Sequence, residues 1–251
     1  MTLQRYFVDA EYWKDNRIVI EGEDARHIVR VMRFRPGDKI ICNQPDGKAA
    51  VAVISEIDDH KVIATREHWL DISAELPIKV TIAQGLPKGD KIELILQKGT
   101  ELGACAFIPF EAERSIVKWD RKKREKKIQR YRKIVKEASE QSQRNMLPKV
   151  YEPMNIEELI KESKHYDMNI FAYEEEAKTD AFHSFGRALK QLNEGDRLFI
   201  CIGPEGGFSE KEATLLKQNG FHPVRLGPRI LRTETAPLYA LSSISYHFEE
   251  S

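Results

Sequence analysis

Residues 78–251 alternate short apolar runs with stretches of helical period, and few folds accommodate that alternation. Residues 78–83, 105–110, 168–173, 197–202 and 222–226 have the length and composition of strands. Between them, residues 88–103 repeat apolar side chains at Ile92, Ile95, Leu96 and Leu102, with Gly103 placed to end a helix. A long helix opens at Asp120 with an apolar stripe of Ile128, Tyr131, Val135 and Ala138. Ser209 and Glu212 have the spacing of a capping box for a helix ending near Gly220, and residues 237–248 form the last helix. Strands separated by helices pair in parallel, so this part reads as an α/β domain.

Residues 1–72 follow a different rule. Short strands at 17–20, 39–42, 49–54 and 61–66 are punctuated by Arg35-Pro36-Gly37-Asp38 and Pro45-Asp46-Gly47, with one helix capped by Asp24. Closely spaced strands with one helix predict a small barrel. The change of period near Pro77 divides the chain into 1–72 and 73–251.

No run of about 18 apolar residues is present, so no membrane helix is expected. Nor does the N-terminal stretch carry a secretory pattern. Cys42, Cys105 and Cys201 lie far apart without CxxC spacing, which argues against a disulfide framework or zinc and for reduced core thiols in the cytoplasm. The seven histidines show no metal spacing. The net charge is zero, but its distribution is uneven. Residues 113–136 hold twelve basic and three acidic side chains, a balance of +9, whereas residues 150–180 hold three and nine. Such a basic segment suits a polyanionic partner.

Two segments carry the chemistry. The apolar run ending at Ile202 leads directly into Gly203-Pro204-Glu205-Gly206-Gly207 and then the capped helix. In parallel sheets ligands bind beyond the carboxyl ends of strands, and glycines let backbone amides approach them. The spacing matches neither GxGxxG nor a P-loop, which counts against dinucleotide and nucleoside-triphosphate readings. The second segment, Leu226-Gly227-Pro228-Arg229-Ile230-Leu231-Arg232-Thr233-Glu234-Thr235-Ala236, also joins a strand to a helix, with Thr233 or Thr235 as N-cap. Ile230 and Leu231 are suited to flank a flat ring, and Arg232 and Glu234 either face reacting groups or form surface ion pairs.

These two motifs resemble signatures of the RsmE family of ribosomal RNA uridine-N3 methyltransferases, of the SPOUT class. Further likeness lies in Gln97–Gly103, Glu113-Arg114-Ser115, Glu137–Arg144, His27–Arg33 and Pro36-Gly37-Asp38, in the family's order over nearly the whole chain. The resemblance implies a small N-terminal PUA-like β-barrel for RNA binding and a C-terminal SPOUT-type trefoil-knotted α/β methyltransferase domain. It also implies a homodimer, S-adenosylmethionine as cofactor, and small-subunit (16S) ribosomal RNA as substrate. Carried over, the cofactor residues are Ile202, Gly203, Pro204, Glu205, Gly206 and Gly207 on one loop and Leu226, Gly227, Ile230, Leu231 and Arg232 on the other. Ala172, Tyr173 and the loop beyond them form a third wall.

Methylation at uridine N3 needs an unpaired or flipped base, an aligned methyl donor and help with loss of the N3 proton. Arg232 is the expected anion stabiliser, with Glu205 or Glu234 as base. Lys122, Lys123 and Lys126, with Arg114, Lys118 and Arg144, are expected to grip phosphates, aided by Arg26, Arg30 and Arg33. The small residues Ala240, Ser242, Ser243 and Ser245 of the last helix suit close packing against another helix, within the chain or at a dimer seam, and the resemblance favours the seam. A dinucleotide-dependent oxidoreductase would need a glycine fingerprint near Ile82, which Ala83-Gln84-Gly85-Leu86-Pro87 does not supply. A non-catalytic ribosome assembly factor would use the basic surfaces alone and leave both glycine-bearing loops unexplained.

Overall fold

The computed structural model describes residues 3–58, 60–115, 117, 121–173 and 185–250. Lys118, Asp120 and the loop after Tyr173 lie outside the described residues, as does the side chain of Arg121. The chain separates into two compact units, Met1–Glu75 with Ser139–Leu147, and Leu76–Ala138 with Pro148–Ser251.

In the first unit, β1 (Arg5–Phe7), β2 (Trp13–Lys14), β3 (Arg17–Glu21), β4 (Lys39–Asn43), β5 (Ala49–Ile57) and β6 (Lys61–Leu70) form one curled sheet in the order β1-β4-β5-β6-β3-β2. All pairs are antiparallel except β1 with β4. Alternate side chains such as Ile18, Ile20, Ile40, Ala52, Ile54, Val62 and Ala64 fill a core closed by Ala25 and Ile28. The helix begins earlier than Asp24: α1 spans Gly22–Arg26 with Glu21 at its N-cap and continues as a π-type turn through Met32. Asp24 therefore lies inside the first turn, where a carboxylate favours the helix dipole rather than capping it.

The segment Ser139–Leu147 is stitched to this sheet by buried polar groups. Asn43 Nδ2 donates to the carbonyls of Arg144 (3.0 Å) and Asn145 (2.8 Å). The Arg5 guanidinium donates to Asn43 Oδ1 at 3.1 Å. Arg144 is 1% exposed, and its Nε donates to Glu75 Oε1 at 2.9 Å. Its guanidinium has no face to offer phosphate, which corrects the expectation of an RNA contact there.

The second unit contains β7 (Lys79–Gly85), α2 (Lys91–Glu101), β8 (Ala106–Phe110), α3 (Arg121–Gln141, whose last residues belong to the first unit), β9 (Lys149–Val150) and α4 (Ile156–Ser163). It continues through β10 (Met168–Ala172), α5 (Phe185–Leu189), β11 (Arg197–Ile202), α6 (Glu210–Gln218), β12 (His222–Val224) and α7 (Thr235–Ser245). The sheet is parallel throughout, in the order β12-β10-β11-β7-β8-β9. Side-chain alternation divides its core in two. Leu198, Ile200 and Ile202 share a cluster with residues of α2, α3, α5 and α7, whereas Phe199 and Cys201 join α4 and α6. Helices thus cover both faces, and the five sheet-facing residues of β11 are each at most 2% exposed. Gly103 follows α2 at φ 94°, and a Cβ there would meet Leu76 at 2.6 Å, so the helix stops on a residue that only glycine fits.

Candidate functional site

The strand order reverses between β7 and β11, and the carboxyl ends of β10, β11 and β12 open on a pocket of about 870 Å³. That position is where open α/β sheets hold ligands, and the volume lies within the usual range for small-molecule sites. Ala172, Tyr173, Ile202, Gly203, Pro204, Glu205, Gly206, Gly207, Leu226, Gly227, Ile230, Leu231 and Arg232 all line it. Lys91, Arg114, Arg225, Arg229 and Thr233 line it as well.

The first loop turns tightly because the Gly207 N–H donates to the Pro204 carbonyl at 2.9 Å, with Gly207 at φ 66°. Its backbone is pressed against β7: a Cβ on Gly85 would lie 2.6 Å from Pro204. A Cβ on Gly203 would lie 3.1 Å from the Gly207 backbone, so a side chain there would crowd the turn. Ser209 and Glu212 form the expected capping box beyond the loop. Glu113 adds to it, accepting from the Ser209 hydroxyl at 2.6 Å.

The second wall is locked to the first from inside. The Thr233 hydroxyl donates to the Gly203 carbonyl at 2.7 Å and accepts from Gln84 Nε2 at 2.9 Å. Thr233 is 7% exposed. Neither Thr233 nor Thr235 caps α7: Glu234 occupies the N-cap position without a side-chain bond. The Arg232 carbonyl accepts from the N–H groups of Thr235 and Ala236 instead. The hydroxyl that local spacing assigns to a helix end is used to join two distant loops. Ile230 is 82% exposed and Leu231 packs against the core, so only the second of the pair meets the expectation of an enclosed apolar wall.

The two glutamates expected as bases are both engaged. Lys91, in the first turn of α2, places its ammonium 2.9 Å from Glu205 Oε1 and 3.2 Å from Glu234 Oε2. Glu205 also accepts the Lys88 N–H at 3.1 Å. Burial pushes the Glu205 carboxyl up, but Lys91 and the backbone N–H groups outweigh it and leave the net shift downward. A carboxylate held in that way is a weakened proton acceptor. Arg232 is exposed on the rim, and no side-chain partner is recorded for it among the described residues. Arg114 Nη1 donates to the Gly206 carbonyl at 2.9 Å, so this arginine supports the first loop rather than standing apart from it. Sequence reading missed Lys91 and Gln84; neither belongs to a motif with a spacing of its own.

Part of the charge of the basic helix is paired with acidic residues of other elements. Arg130 and Lys127 reach Glu93 at 2.6 and 3.8 Å, and Arg124 reaches Glu111 at 3.6 Å. Lys122, Lys123 and Lys126 are exposed on α3, and Arg26, Arg30 and Arg33 are exposed in the first unit.

Comparison with known proteins agrees with this architecture. A family model described as an RNA methyltransferase domain matches residues 74–245, and one described as an RNA methyltransferase PUA domain matches residues 20–65. The chain is 47% identical over 250 residues to ribosomal RNA small subunit methyltransferase E of Bacillus subtilis, covering 98% of each. It is 32% identical to the Synechocystis protein of the same description, covering 96% of this chain and 77% of that one. Among solved structures, the Neisseria gonorrhoeae enzyme of that description, bound to S-adenosylmethionine, superposes with a TM-score of 0.84 at 28% identity, covering 98% of each chain. The parallel sheet, the pocket at its strand ends, the PUA match and the full-length likeness converge, and the chain belongs to the RsmE family of S-adenosylmethionine-dependent small-subunit ribosomal RNA methyltransferases.

Proposed function

We propose that the protein transfers a methyl group from S-adenosylmethionine to N3 of a uridine in 16S ribosomal RNA, with the pocket at the ends of β10, β11 and β12 as its cofactor site. The observation that carries this reading is the convergence of both glycine-bearing loops and the end of β10 on one cavity of about 870 Å³. The residues fit such a cofactor: the backbone of the glycine loop lines the pocket where its polar end would lie, and Ile202, Leu226 and Leu231 offer an apolar wall. When bound, the cofactor supplies an electrophilic methyl group on positively charged sulfur.

Arg232, exposed on the rim, steadies the negative charge that develops on uracil as its N3 proton leaves. Glu205 and Glu234 are reassigned from bases to holders of Lys91. Lys122, Lys123 and Lys126 grip phosphates, and Arg26, Arg30 and Arg33 do so from the PUA-like unit. We place the activity in the cytoplasm on the small ribosomal subunit, carried out by a homodimer with the family's knotted topology. Ala240 is buried in the unit's own core, which leaves Ser242, Ser243 and Ser245 of α7 for the dimer seam, and the interlock of Thr233 with Gly203 is compatible with the knot.

The test is transfer of labelled methyl to small subunits lacking the modification, with the labelled base identified. Label at uridine N3 is expected, and label on any other base would refute the assignment. Ala172→Trp, which fills the pocket, should abolish cofactor binding while the fold, followed by circular dichroism, persists. Undiminished binding would move the cofactor elsewhere.

A further inference from the structure

We infer that Lys91 is a positioning residue of the methyl-donor site, an ammonium that clamps the two walls of the pocket by holding Glu205 on one and Glu234 on the other. The inference rests on the pocket being the cofactor site. Its geometric basis is the pair of contacts at 2.9 and 3.2 Å, which join residues 114 apart in sequence for the first and reach the start of α7 for the second.

Local helix physics gives no reason for a lysine there. Lys91 is the first residue of α2, at the positive end of the helix dipole, where an ammonium is unfavourable. The charge is retained at that position by two carboxylates brought from elsewhere in the chain. The same walls are tied a second time in the interior, by Thr233 to Gly203 and Gln84. Two ties of different chemistry fix the separation of the loops before any ligand arrives, and a preorganised site spares the cofactor the cost of ordering them.

The charged groups around Glu205 are Lys91 from α2, Glu234 beyond it before α7, and Arg114, whose guanidinium bonds the neighbouring Gly206 carbonyl. Lys91 opposes the upward push of burial on Glu205. Without it, Glu205 and Glu234 lose the ammonium that holds them to one point.

The experiment is calorimetric titration of the full chain with S-adenosylmethionine at neutral pH. Lys91→Met should weaken binding about tenfold, the scale of one charge-assisted hydrogen bond. Lys91→Arg should restore most of the affinity. Unchanged affinity in Lys91→Met would overturn the inference. So would a loss that arginine does not rescue. If Lys91→Met does not fold, Glu234→Gln carries the test, with the same direction expected and no change overturning it. Ala172→Trp separates the two readings. If it too leaves binding intact, the pocket assignment fails; if it abolishes binding while Lys91→Met has no effect, only the role of Lys91 fails.

Discussion

A buried guanidinium is stable only with its partner, and Arg144 shows how completely that requirement can remove a side chain from the surface. Glu75 receives its Nε at 2.9 Å and the N–H groups of Asn145 and Met146 at 2.9 and 3.1 Å. Burial pushes the Glu75 carboxyl up, but these donors outweigh it and leave the pKa lowered. A carboxylate whose folded pKa lies below its unfolded value, about 4.3 for glutamate, contributes stability above that value. The contribution disappears as the pH falls through the folded pKa. Arg144→Ala should therefore cost about 3–5 kcal/mol at neutral pH, because it strands a buried carboxylate. The deficit should shrink in acid, where Glu75 is protonated in the variant. Urea melts of both proteins at pH 7 and pH 4 check this, and an equal deficit at the two values would show that charge is not the cause.

At the scale of elements, α3 buries an apolar stripe and carries basic side chains around the rest of its surface. Ile128, Tyr131 and Val135 are at most 2% exposed, and Arg124, Lys127 and Arg130 dock the helix through Glu111 and Glu93. Lys122, Lys123 and Lys126 are left toward solvent. Reversing those three charges to glutamate should abolish RNA association and flatten its salt dependence while affinity for S-adenosylmethionine survives. Filter binding over a salt series reads both quantities, and an unchanged slope would exclude this helix from the RNA interface. The apolar stripe was legible in the sequence because its period is local; the ion pairs of Arg124, Lys127 and Arg130 were not, because Glu93 and Glu111 lie on other elements. The element α4 was overlooked although Asn155 and Glu158 form a capping box like that of Ser209 and Glu212. Its eight residues are too few for the period to stand out beside the acidic run around them.

For the whole molecule, a cofactor bound in the proposed pocket would couple to folding of the second unit. Saturation at about 100 times Kd should stabilise the unit that holds the pocket by roughly 2.7 kcal/mol, a rise in Tm of roughly 5–10 °C. Scanning calorimetry with and without S-adenosylmethionine measures the shift, and Ala172→Trp should remove it. Absence of a shift in the unmodified protein would count against the pocket as the cofactor site.

What the sequence determined by itself was whatever depends on near neighbours. The strands of the parallel sheet, the stripe of α3, the turn at Gly203–Gly207 and the Ser209 capping box follow from alternation, period and spacing within a few residues. Tertiary structure decided the identity of the partners. Thr233 reads as a helix cap until Gly203, 30 residues away, accepts its hydroxyl, and Arg144 reads as an RNA contact until Glu75, 69 residues away, takes its charge. Glu205 and Glu234 read as bases until Lys91 is found between them. Hydrogen bonds and ion pairs are made over about 3 Å, and only the folded chain brings such residues that close.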